Sequence, residues 1–221
     1  MSTSRRVLVA AVAVLVVIAA NSPVLFASHS WGNYHWARTA NPFTLKVGNN
    51  VTSAWTSHFN TAVSDWNESA ALGLAPVTGT ANKQCRMVAG TLQVCNRTYG
   101  YNGWLGLASI NITGGVHITQ GSAKMNDTYF NTATYNNPNE KLHVMCQEIG
   151  HTFGLHHTSE DGSSQDTCMD YFSNTGANAT STLSTHPNTH DYSQLSSIYS
   201  HLTASTRRPA PPRLRARAAL R

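Results

Sequence analysis

Trp55, Phe59, Ala62, Val63 and Trp66 recur at three- and four-residue spacing, which predicts an amphipathic helix packed on a sheet. Thr52 or Ser53 stands where its cap belongs, and the spacing makes both tryptophans core residues rather than a ligand-stacking surface. Just upstream, residues 43–47 alternate apolar and polar and predict a strand, closed by Gly48-Asn49-Asn50. Residues 74–78 give a second strand. Residues 86–88 and 92–94 flank Gly90 and predict a hairpin. The Gly- and aromatic-rich run 99–108 leads into short apolar segments at 110–112 and 116–118, then a more polar stretch to Asp127.

A second helical stripe, Leu142, Met145, Ile149 and Phe153, starts near 138–140 and ends at Gly154. A last helix is predicted over 190–199, with Leu195, Ile198, Tyr199 and Leu202 on its apolar face. The Asn- and Thr-rich segment 131–139 and the polar segment 173–188 read as loops. Residues 28–41 show no clear period and are expected to lie over the surface.

The two ends differ from the middle. Arg5-Arg6 followed by fourteen apolar residues, 7–20, reads as an export signal over 1–27, and fourteen residues are too few to span a bilayer. Residues 204–221 are rich in Arg and Pro and read as a disordered tail. These ends hold eight of the 15 Lys and Arg residues, so the rest carries 7 basic against all 10 acidic residues, a balance of −3. The formal charge of +5 therefore marks no basic patch, and nucleic acid is not an expected partner. Four Cys in an exported chain favour two disulfides, and spacing favours Cys85–Cys95 and Cys146–Cys168.

The chemistry concentrates in residues 143–171. Gln147-Glu148-Ile149-Gly150-His151-Thr152-Phe153-Gly154-Leu155-His156-His157 follows H-E-x-x-H-x-x-G-x-x-H except at its opening residue, where Gln147 replaces His. In the intact pattern two His one helical turn apart share a zinc ion, the Glu works on the metal's water, and a Gly turns the chain so that a third His reaches the ion. Cys168-Met169-Asp170-Tyr171 follows, with Met169 twelve residues after His157. Together these residues resemble the metzincin metalloproteases, with the spelling G-H-T-F-G-L-x-H closest to their matrixin-like branch.

The resemblance implies an α+β, zincin/metzincin-like domain over 28–203: a twisted mixed sheet, two main helices, and a Met-containing turn beneath a zinc site. It implies zinc held by His151, His157 and Gln147, Glu148 as general base, and Tyr171 near the metal as ligand or oxyanion donor. It also implies an exposed edge strand on which a peptide or protein substrate pairs; the residues alone fit an ordinary hairpin equally well. His143, eight residues before His151, is too far along a helix to share the ion and reads as a surface His near the helix start. His156 competes with His157 for the third position, and the spacing from Gly154 favours His157. Gln147 leaves two functions open: a secreted, monomeric zinc endopeptidase with no lasting membrane association after signal removal, or a secreted pseudoprotease that binds peptides without cutting them. The absence of a G-x-S-x-G motif argues against a serine hydrolase.

Overall fold

In the computed structural model, residues 28–202 and 214–220 are described; the signal expected over 1–27 lies outside them. Strands β1 (His35–Trp36), β2 (Phe43–Asn50), β3 (Leu72–Thr78), β4 (Thr91–Arg97), β5 (Gly106–Thr113), β6 (His117–Asn126) and β7 (Leu214–Ala218) form one mixed sheet. Its order is β3-β2-β4-β6-β5-β7, with β1 paired to β6 off that path. β2, β3, β4 and β6 run parallel to their neighbours in this set; β5 is antiparallel to β6, and β7 to β5.

Helix α1 (Thr56–Trp66) follows a 3-10 turn at Ser53–Trp55, and Phe59, Ala62, Val63 and Trp66 are buried as their spacing requires. A short helix α2 (Asp127–Phe130) ends β6. Helix α3 (Pro138–His151) starts where the Asn137 side chain accepts the Glu140 amide at 2.9 Å with Pro138 at the first position, a pairing suited to a helix N-terminus. Helix α4 (Thr189–Ile198) is opened by a capping box between Asn188 and Asp191. α1 and α3 pack together, and the Trp66 indole N–H donates to the Cys146 carbonyl at 3.1 Å. This is the expected α+β arrangement of one mixed sheet and two main helices.

Both expected disulfides are present, and no cysteine is free. Several expectations are corrected. Residues 86–88 form no strand, so Cys85–Cys95 closes a loop onto β4 rather than a hairpin; β4 pairs instead with β2 and β6. The segment 28–41 does not lie over the surface: His29, His35, Trp36 and Arg38 are buried, and β1 joins the sheet. Leu202 is exposed, so the apolar face of α4 ends at Tyr199.

The largest correction concerns the tail. Residues 214–218 form β7 and cover the outer edge of β5, pairing Ala218 with Ala108 and Leu214 with Ile112. Backbone ladder bonds are indifferent to side-chain composition, and this is why an Arg-rich segment is held where no core pattern announced it. The part of the expected tail at 204–213 lies outside the described residues.

Candidate active site

The second half of α3 carries Gln147, Glu148 and His151, all without exposed surface. The helix stops at His151, and Gly154 adopts φ +105°, turning the chain back toward the site. No other residue type fits there without strain, and a Cβ would run into the Tyr34 carbonyl oxygen. The turn brings the His157 ring to 4.6 Å from that of His151, edge to face. His156 stands farther from His151, at 6.5 Å between centroids, with its ring 4.9 Å from His157.

Each of these side chains is anchored by one end and orphaned at the other. His151 Nδ1 lies 2.9 Å from the Leu155 carbonyl, and His157 Nδ1 lies 2.7 Å from Glu160 Oε1. The Gln147 amide nitrogen donates to the Cys168 carbonyl at 3.0 Å and the Asp170 carbonyl at 2.7 Å. Two acceptors on one side fix which end is nitrogen, so Oε1 is the end left over. Gln147 Oε1, Glu148 Oε2, His151 Nε2 and His157 Nε2 are all buried with no hydrogen-bond partner. Buried polar atoms without partners are costly, and four of them on one short segment suit a cation with nitrogen and oxygen ligands.

Burial pushes His151 well below its ordinary range and His157 down to about 3, with each ring also repelled by neighbouring imidazoles. Both are therefore neutral at physiological pH, the form in which imidazole coordinates. Burial pushes Glu148 up to about 8, against the opposing pull of backbone N–H groups from Leu220 and Ala108. β5 crosses directly over this carboxylate: a Cβ at Gly106 would collide with Glu148 Oε1 and Cγ.

The platform beneath is the 168–171 turn. Asp170 accepts the Gln165 amide at 2.6 Å, the Ser184 hydroxyl at 2.8 Å and the Phe172 amide at 2.9 Å, which locks the carbonyls that hold Gln147. Met169 is buried against α3; its Sδ would lie 2.6 Å from a Cβ at Gly150. Tyr171 packs on His157 at 4.3 Å between rings, and its hydroxyl donates to the Ala219 carbonyl at 3.1 Å. A cleft of about 920 Å³ opens beside this group, lined among others by Trp31, Trp104, His157, Tyr171 and Ala219.

His143 is not the surface residue expected. It is buried, with Nε2 3.0 Å from the Asp170 carbonyl and Nδ1 3.2 Å from Asn174 Oδ1, so both ring nitrogens are engaged in bracing the same turn. Sequence reasoning also missed the tail, whose Leu220 N–H donates to Glu148 Oε1 at 3.3 Å; no periodicity marks residues 214–220. A further group, His29, His190 and Asp191, has ligand-type atoms within 4.8 Å of one another, and His29 Nε2 lies 3.1 Å from Asp191 Oδ1, the geometry of an ion pair.

No protein-family model matches the sequence, and no curated protein does. Among solved structures, high choriolytic enzyme 1, a hatching-enzyme zinc-protease from the medaka fish Oryzias latipes, aligns with 75% of this chain and 94% of its own. The two are 10% identical and superpose with a TM-score of 0.41. The functional case therefore rests on the side chains of this chain.

Proposed function

We propose that the chain is a secreted zinc-dependent endopeptidase that hydrolyses peptide bonds in peptides or proteins. The observation that carries this reading is the set of four buried, unpartnered polar atoms on Gln147, Glu148, His151 and His157. His151, His157 and the Gln147 amide oxygen would hold the ion as an N,N,O set, with Gln147 the weakest of the three. Bound zinc supplies Lewis-acid polarisation of the scissile carbonyl and a water of lowered pKa. Glu148 would take a proton from the attacking water and return it to the leaving amine, in the ionised form that a bound dication favours. The Tyr171 phenol donates to the carbonyl oxygen as negative charge builds there. The two disulfides accord with an oxidising, extracellular setting, and no helix among the described residues is long and apolar enough to cross a membrane.

One observation favours the second reading, a peptide-binding pseudoprotease. A neutral amide stands where imidazole would bind zinc more tightly, and its nitrogen already serves the 168–171 turn. Zinc content and peptide cleavage should be compared for the native protein, Gln147→His, and each combined with Glu148→Ala. The peptidase reading expects zinc and hydrolysis in the native protein, and loss of hydrolysis with retention of zinc in both Glu148→Ala forms. Native protein that binds no zinc and cuts nothing, even at millimolar metal, would defeat it.

A further inference from the structure

The last described residues lie across the centre of the site. β7 runs antiparallel on β5, as an extended peptide adding a strand to a sheet edge would. Beyond Ala218 the chain continues into the site, where two contacts hold the Ala219–Leu220 peptide bond and a third holds the next carbonyl. The Ala219 carbonyl accepts the Tyr171 hydroxyl at 3.1 Å, the Leu220 N–H donates to Glu148 Oε1 at 3.3 Å, and the Leu220 carbonyl accepts the Leu105 amide at 2.9 Å. Leu220 itself is only 4% exposed and packs with the core, so the bond is pinned on both sides.

We propose that the Ala219–Leu220 bond is a self-processing site, cut by the chain's own Glu148 and Tyr171. The inference rests on the peptidase reading. Its geometry is that of a substrate: the oxygen that must gain charge faces the phenol, and the nitrogen that must gain a proton faces the carboxylate. Water adds to the Ala219 carbonyl carbon, and its proton passes to Glu148. The carbon–nitrogen bond then breaks, and Glu148 gives the proton to the Leu220 nitrogen. The products are a new carboxyl group at Ala219 and a new amino group at Leu220. No oxidant or second substrate is needed beyond water. Because site and bond belong to one chain, the reaction is first order and independent of protein concentration. It also frees the catalytic groups: until the bond is cut, the 219–220 peptide occupies Tyr171 and Glu148.

The test uses the full chain loaded with zinc and followed by intact mass, beside hydrolysis of a separate peptide. Native protein should lose the residues from Leu220 onward at a rate that does not change on tenfold dilution, and cleavage of the separate peptide should rise as it does so. Glu148→Ala should keep them. Because it cannot cut, its tail amides 214–220 should be protected from hydrogen exchange. Leu220→Asp, which disfavours burial of the tail, should resist processing yet cut the separate peptide without a lag. A native protein that cuts the separate peptide but retains the residues from Leu220 onward would overturn the inference and leave the peptidase reading standing. Unprotected tail amides in Glu148→Ala would overturn it whatever the activity. If neither bond is cut, the peptidase reading falls and self-processing falls with it.

Discussion

At the scale of single residues, Gln147 reproduces half of what an imidazole does at such a position. A metal-bound His usually donates its second nitrogen to a carbonyl while the first faces the ion. Gln147 likewise anchors its nitrogen on the Cys168 and Asp170 carbonyls and leaves Oε1 unpartnered. Gln147→His should therefore raise zinc affinity at the cost of one of those two anchoring bonds, which competition with a graded series of chelators would measure. Tyr171→Phe removes the phenol that donates to the Ala219 carbonyl, and kcat should fall on the order of 10²-fold with little change in KM. Gly154→Ala forces a Cβ into the Tyr34 carbonyl at φ +105° and should cost about 2 kcal/mol or more in urea denaturation.

Elements differed in how much of them could be read beforehand. α1 and α3 were legible because each buries one stripe, and such a stripe leaves a 3.6-residue period in the sequence. The motif at 147–157 was legible for the same reason, since helix geometry and one glycine fix its ligand spacing. The strand at 92–94 was legible, but its partners were not: β4 lies between β2 and β6 and pairs with strands distant in sequence rather than with 86–88. His143 was misread because its partners, Asp170 and Asn174, come from residues far along the chain.

α3 also carries a pH-sensitive joint. Burial lifts Glu140 to about 7 although the Asn174 amide donates to it at 2.6 Å. Between its ordinary value of 4.5 and about 7 the folded chain binds the proton that the unfolded chain has lost, so this group's stabilisation, complete below 4.5, is lost as pH rises to 7. The difference in unfolding free energy between native and Glu140→Gln protein should change across that window, by on the order of 3 kcal/mol at most. Reducing Cys146–Cys168, which ties α3 to the 168–171 turn across 22 residues, should cost roughly 3 kcal/mol in the chain-entropy model, seen as a lower Tm.

For the whole molecule, folding and zinc binding are linked if the site exists only in the folded chain. Free zinc at a hundred times its Kd should then add about 2.7 kcal/mol to unfolding, a gain that chelation reverses and Gln147→His enlarges at equal metal. The sheet has a further consequence, for behaviour in concentrated solution. An uncovered strand offers a row of free backbone donors and acceptors to any other copy it meets. One margin here is β3, where Pro76 has no N–H to offer and so interrupts that row. The opposite margin is β7, which shields β5 and places Arg217 outward. With one border broken by proline and the other guarded by like charge, copies have little reason to zip together. Replacing Pro76 by valine should restore a continuous border and make light scattering grow with concentration, whereas the native chain should stay at the mass of a single copy.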